Sequence, residues 1–436
     1  MDDLHTRRQS RNSIDVRFFD VILCVSRALD LLSPELSDHH LRVAYVAARL
    51  AEELGLDIKE KQDVVIGGAL HDVGAVSSSL RLSLQDYAVS AHAIGNGPAL
   101  SEVHLHGFDG CLLLRDFPPF ANAAEAIRYH HVEWNHAAGN QLGHGAVPFL
   151  SHILHLADRV AVLPDERQNV LEQSAAIRAT IFEGEHSRYH PHVVAAFNSV
   201  SLSESFWLDL ISEHKEEIIR SHFGHHNVAL SLDELYELAR LFGRIIDYRS
   251  PFTAIHSSMV AARSEHIAGL LGMDAQGTRL IGIAGFLHDL GKLAVPAEIL
   301  DKPAKLTEKE MLIIKKHPYY THRILSLVPG LEEVNTYASL HHERLDGLGY
   351  PFRRRTIPVG SRIIAVADVF TAVSEMRPYR TAMERAEALA TLDQFANDGA
   401  LDGDIVSLVR VHFDELKAAP QRPETFLHAG HNGGFP

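Results

Sequence analysis

The stretch "GFLHDLGKLAVPAEIL", residues 285–300, decides how this chain is read. His288 and Asp289 are adjacent within it, so one short segment offers a nitrogen ligand and a carboxylate able to bridge two cations. Five more metal-competent side chains flank the pair in order: His256 before it, then His317, the doublet His341-His342, and Asp368. Leu280, Ile283, Ala284 and Leu287 recur at helical spacing, which delivers His288-Asp289 at a helix end with Gly291 as the expected stop.

The same order occurs earlier in the chain. His40, His71-Asp72, His106, His130-His131 and Asp158 precede their later counterparts by 210 to 217 residues. Recurrence at seven positions is an internal duplication rather than a long repeat array. The first copy is expected over 14–200 and the second over 231–420, with a helical connector at 201–230 carrying "SESFWLDLISEHKEEIIRSHF" and a disordered tail at 421–436. Ser231 and Glu234 stand at capping-box spacing ahead of Leu235, Leu238, Ala239, Phe242, Ile245 and Ile246 on one face, and Thr307 and Glu310 repeat the box before "MLIIKK". No stretch alternates as a strand does, so the fold is expected to be all-α, with two duplicated helical bundle domains.

A chain of 436 residues suits two cores of ordinary size, and 46% apolar with 22% charged residues is globular composition. Cys24 and Cys111 form no CxxC, so the metals must be held by nitrogen and oxygen, and a reducing cytoplasm is the expected location. No apolar run reaches the roughly 18 residues of a membrane helix, and residues 1–13 lack the apolar core of a signal peptide. The net charge of −15 argues against binding to a nucleic-acid polymer. Attraction for an anion would be local, from bound cations and from Lys292, Arg344, Arg353 to Arg355, Arg377 and Arg380, although the run at 353–355 reads equally as a solvated loop.

Helices of a bundle can aim such side chains into one interior. His256, His288, Asp289 and Asp368 would surround one metal and His317, His341 and His342 a second, with Asp289 shared. His and carboxylate donors suit iron, manganese, nickel or zinc. Two ions about 3.5–4 Å apart activate water, hold a phosphate oxygen and steady the leaving oxygen, which makes phosphoester hydrolysis the expected reaction.

The stretches "HDLGK" at 288–292, "KHP" at 316–318, "HHERLDGLGYP" at 341–351 and "ADVFTAVSEMRPYR" at 367–380 resemble the HD-GYP phosphodiesterases, a branch of the HD metal-dependent phosphohydrolases. The resemblance covers nearly all of the second copy. It implies an all-helical domain hydrolysing cyclic di-GMP to the linear dinucleotide and onward to GMP in some members, with the seven residues named above as ligands of two transition ions, iron or manganese first. Asp289 and Lys292 would carry catalysis, and Lys292, Tyr350, Arg377 and Arg380 would bind the substrate. Some members add a carboxylate one turn before the first histidine for a third metal; Phe252 stands there in this chain, so two metals are expected.

The first copy keeps all seven ligand types as a second candidate metal site. It has Ala75 in place of the lysine, and "HHVEWNHAAGNQLGHG" in place of the long signature. A degenerate packing or dimerisation domain, a regulatory metal or nucleotide site, and an independent phosphomonoesterase are the readings left open for it. The tandem arrangement also resembles bacterial hydrolases of 3′,3′-cyclic GMP-AMP, the alternative substrate. The rival from another class is a non-catalytic module that binds a dinucleotide or a partner protein, and a homodimer or a signalling-protein partner is left open by the sequence.

Overall fold

The computed structural model describes residues 16–32, 38–76, 99–142, 145–223, 228–249, 255–375 and 382–418. The chain divides into two compact units, one of residues 25–228 and the other of 229–418 together with 16–24, so the division falls within the helix Phe18–Asp30. Among the described residues every longer element is a helix, and apart from two isolated bridges the strand pairing is limited to the two-residue antiparallel pair Gln141–Leu142 and Gly145–Ala146. The all-α expectation holds. No helix among these residues is long and apolar enough to cross a membrane.

Local sequence sets the helix ends. Ser231 caps Leu232–Tyr248 and Thr307 caps Glu308–Ile314, each through a complete capping box with Glu234 or Glu310. Ala275–Leu287 is capped by Asp274 and ends one residue before His288. Gly291 does not stop that helix. It lies within the 3₁₀ turn Leu290–Ala294, and its backbone is needed for another reason described below.

The two units are built alike. In the first, His39–Glu53 packs against Ile58–Leu70 and Phe149–Val162; in the second, His256–Leu270 packs against Ala275–Leu287 and Val359–Ser374. A glycine allows the first of these contacts in each unit. A Cβ on Gly68 would lie 2.8 Å from Ala44 Cα, and one on Gly285 would lie 2.7 Å from Ala261 Cα. Tyr45, Leu50 and Phe197 are buried in the first core, and Val260, Ile283, Phe370 and Phe413 in the second.

The stretch 201–230 forms two helices, Glu204–Ile211 and Lys215–Phe223, both within the first unit. Ser212, extended at φ −61° and ψ 142°, ends the former. Trp207 is buried, with its indole N–H donating to Ser201 O at 2.9 Å, and this anchors the segment to the first core. The tail 421–436 lies outside the described residues.

Replacing Gly285 by alanine is expected to destabilise the second unit by about 1–3 kcal/mol, because overpacking against backbone exceeds the gain in helix propensity. Gly269→Ala meets nothing within 4 Å and is the control, expected to be neutral or slightly stabilising. The urea midpoints of the two variants measure the difference.

Candidate metal centre

Each expected ligand of the second copy sits at a helix end or on a helix face turned to one interior. His256 is the first residue of its helix, His288 follows the end of Ala275–Leu287, His317 begins His317–Leu325, His341 and His342 follow Glu332–Ser339, and Asp368 lies within Val359–Ser374. The turn after His288 is clamped. Thr321 Oγ1 donates to His288 O at 3.0 Å and accepts from Gly291 N at 2.9 Å, and Thr321 is fully buried. A Cβ on Gly291 would stand 2.0 Å from His317 O, so only glycine lets the turn approach the helix that supplies the third histidine.

These elements bring six of the donors into direct register. Asp289 Oδ2 lies 3.1 Å from His288 Nε2 and 3.8 Å from His256 Nε2, while Asp289 Oδ1 lies 3.3 Å from His317 Nε2. The two oxygens of one carboxylate therefore face two different groups of imidazoles. Asp368 Oδ1 is 3.2 Å from His256 Nε2, and His317 and His341 bring their Nε2 atoms to 3.4 Å. His342 joins His317 and His341 in one cluster of potential ligand atoms, and His256, His288 and Asp368 form another. Lys292 Nζ is 2.5 Å from Asp289 Oδ2.

The hydrogen bonds behind the rings decide what these atoms can do. Nδ1 of His288, His317 and His341 each meets the carbonyl three residues earlier, of Gly285, Ile314 and Ala338, at 2.7, 2.8 and 2.6 Å. Those bonds assign an N–H to Nδ1 and turn Nε2 inward. Burial pushes His317 down to about 3 and His342 to about 4, and lowers His341 as well, so these rings stay neutral. Lone pairs then face lone pairs: His317 Nε2 against His341 Nε2, and His317 Nε2 against Asp289. His288 Nε2 is buried with no hydrogen-bond partner. Such a set of converging acceptors calls for cations between them, and the donors fit divalent transition ions.

His256 differs from the other rings. Burial opposes its charge, but Asp368 and Glu375 beside it raise it to about 10. Burial also works against ionisation of Asp289, yet His288 and Lys292 hold it well below the usual carboxylate range, so the bridging group is anionic. Tyr350 stacks on His342, ring centroids 4.8 Å apart at 28°, and forms a wall of the site. Arg344 is engaged elsewhere, on Asp346 and on Asp398 O, and Arg353 to Arg355 are exposed. Arg377, Arg380 and Phe252 lie outside the described residues.

Sequence reasoning missed several supports. Glu375 Oε2 lies 3.8 Å from His256 Nδ1, and buried Asp247 accepts from Ser257 N and Oγ at 2.9 and 2.8 Å, fixing the start of the helix that carries His256. Buried Glu343 accepts from Phe352 N and Arg354 N, which ties the loop after the histidine doublet into its turn. Glu343 sits within the long signature, so its position was the one available signal.

The first copy reproduces the arrangement pair by pair. Asp72 Oδ2 is 3.2 Å from His71 Nε2, Asp72 Oδ1 is 3.3 Å from His106 Nε2, and His106 and His130 Nε2 are 3.3 Å apart. Asp72, His106, His130 and His131 cluster as potential ligands. One position shifts by a residue. His39 begins its helix and stands 3.4 Å from Asp158, as His256 does to Asp368, whereas His40 turns Nδ1 to Asp30 at 2.5 Å. His40 therefore takes the place of Ser257, 217 residues on, and Asp30 that of Asp247. Arg159 also pairs with Asp158 at 2.8 Å, and buried Ala75 takes the place of Lys292.

The description "HD domain" matches residues 240–405 and again residues 36–163. The 3′3′-cGAMP-specific phosphodiesterase 1 of Vibrio cholerae is 30% identical over 417 residues, 91% of each chain. The cyclic di-GMP phosphodiesterase response regulator RpfG of Xanthomonas campestris is 42% identical over 172 residues, 38% of this chain and 44% of the relative. A solved cyclic GMP-AMP-specific phosphodiesterase of V. cholerae matches in fold with TM-score 0.64 and 23% identity, over 92% of this chain and 98% of that one.

Thr321→Val leaves the buried Gly291 N–H and one acceptor of His288 O without their partner. The expected cost is about 1–3 kcal/mol of stability, read from denaturant unfolding, with weaker retention of metal on dialysis against a chelator.

Proposed function

Because the chain belongs to the HD-domain family, with two such domains in tandem, we propose that its second domain, residues 231–420, is a cyclic dinucleotide phosphodiesterase cleaving a 3′,5′ phosphodiester bond by metal-dependent hydrolysis. The observation that carries this reading is Asp289, whose two oxygens face separate histidine groups among inward lone pairs. A binding module has no need of that arrangement. Cyclic di-GMP is the substrate class that the second-copy motifs imply. A second reading, 3′,3′-cyclic GMP-AMP, is favoured by the relative that matches along both domains, since the similarity to the cyclic di-GMP phosphodiesterase RpfG spans 38% of this chain.

His256, His288, Asp289 and Asp368 would hold one ion and His317, His341 and His342 the other, with Asp289 shared; iron or manganese suits this donor set, and nickel or zinc also accept it. Two such ions, when bound, supply water activation and neutralise charge at phosphorus. The protein's own residues do the rest. The i−3 carbonyls hold the imidazoles in one tautomer, and Asp289 stays anionic under the influence of His288 and Lys292. Lys292 is about a quarter exposed, so its ammonium can turn from Asp289 to a non-bridging phosphate oxygen as negative charge builds there. Tyr350, braced on His342, limits the position of the substrate on that side. In the first domain the lysine is absent, and that domain is read as a packing or regulatory partner rather than a second diesterase.

With protein loaded with Mn²⁺ or Fe²⁺, one or both cyclic dinucleotides should be linearised; no turnover of either compound would defeat the enzymatic reading. Asp289→Ala should lose metal and activity together, as seen by elemental analysis and product chromatography. Lys292→Ala should retain metal and lose about 10²-fold or more in kcat, the scale of a lost charge-stabilising donor. His71→Ala, in the first domain, should leave turnover within a few-fold.

A further inference from the structure

Beside the metal centre, the second unit has a cavity of about 440 Å³ lined by Leu312, Lys315, Lys316, Tyr319, Tyr320 and Tyr350 among others. That volume lies in the range of about 300–1,000 Å³ usual for small-ligand sites. It adjoins the cluster at two points. Tyr350 is both a cavity wall and the ring stacked on His342, and Lys315 and Lys316 immediately precede His317, whose helix also carries Tyr319 and Tyr320. The Lys315 ammonium stands 5.2 Å from the centroid of the Tyr350 ring, so the cavity joins a cation to an aromatic face.

We propose that this cavity is a base subsite, taking one guanine of the cyclic dinucleotide whose phosphate meets the metal centre; this rests on the reading of function above. Tyr319, Tyr320 and Tyr350 line it, and stacking of a flat base on aromatic rings is indifferent to which base is present. The lysines supply the choice. Each ammonium carries donors and no acceptor, so it matches the O6 and N7 acceptors of guanine and is opposed by the N6 amino group of adenine at the same edge. Cyclic di-GMP and cyclic GMP-AMP each own a guanine, whereas cyclic di-AMP does not.

The duplication supplies an internal comparison. At the 211-residue offset that relates His106 to His317, the first copy carries Ser101 for Leu312, His104 for Lys315, Leu105 for Lys316, Phe108 for Tyr319 and Asp109 for Tyr320. The ligand histidine between them is kept and the cavity residues are not. A set needed only for metal binding or for packing of this helix would not divide along that line. The copy without Lys292 is also the copy without the subsite.

Steady-state kinetics of the full-length, metal-loaded protein test this, with cyclic di-GMP, 3′,3′-cyclic GMP-AMP, cyclic di-AMP and the base-free diester bis(p-nitrophenyl) phosphate as substrates. In the paired variant Lys315→Ala with Lys316→Ala, KM for the guanine-containing compounds should rise about ten- to a hundredfold with kcat within about threefold, the range of a lost base-edge contact. Tyr319→Ala should raise KM for every cyclic dinucleotide. An unchanged KM in these variants, wild-type KM values for cyclic di-AMP as low as for cyclic di-GMP, or a parallel loss with bis(p-nitrophenyl) phosphate would each overturn the subsite. Wild-type protein that cleaves bis(p-nitrophenyl) phosphate but no cyclic dinucleotide would instead overturn the functional reading itself, and the subsite with it.

Discussion

The second domain depends on the placement of one buried carboxylate. Asp289 turns Oδ2 to His288 and His256 and Oδ1 to His317, and it remains ionised because His288 and Lys292 outweigh the desolvation that burial imposes. Taken alone, an anion facing the lone pair of neutral His317 would be costly in a packed interior. Cations between the donors would make the arrangement favourable, and the proposed function would then link folding, metal retention and chemistry through the same seven side chains. The first domain keeps this core around Asp72, which suggests that the geometry is a property of the duplicated scaffold and the reactivity a property of what is added around it.

The scaffold achieves its accuracy with backbone atoms. Three imidazoles are oriented by the carbonyl three residues earlier, a contact available wherever a histidine follows a helical turn. Thr321 ties the turn after His288 to the helix of His317, and Gly291 permits the approach. Candidate ligands from five different helices are thereby brought to one interior. Lys292 and Tyr350, the groups proposed to meet the substrate, lie at the rim of that set, where such residues can differ between the copies without disturbing it.

Much of this was legible in the sequence because the signals were local. Capping boxes at Ser231 and Thr307 marked helix starts, the apolar spacing before His288 located a helix end, and the order of His and Asp residues announced both the metal chemistry and the duplication. What was not legible depended on three-dimensional register. His39 and His40 are adjacent and chemically identical, so spacing alone does not distinguish them; the helix start and Asp30 make His39 the counterpart of His256. Gly291 reads as a helix stop in one dimension and is a close-approach residue in three. The region after residue 200 has the amphipathic pattern of one connecting helix, but Ser212 breaks it and Trp207 buries it in the first core. The cavity at Lys315 and Tyr319 was not legible, because Lys316 and Tyr350 stand in separate motifs and its walls meet only when a helix start and a distant turn come together.

The central claim is that the donors of the second domain hold two cations about 3.5–4 Å apart with Asp289 between them. Anomalous diffraction from crystals grown of iron- or manganese-loaded protein, recorded at that metal's absorption edge, tests it most directly. The account predicts two peaks in the second domain, one among His256, His288 and Asp368 and the other among His317, His341 and His342. A single peak, or none at these side chains in protein that hydrolyses its substrate, would contradict it.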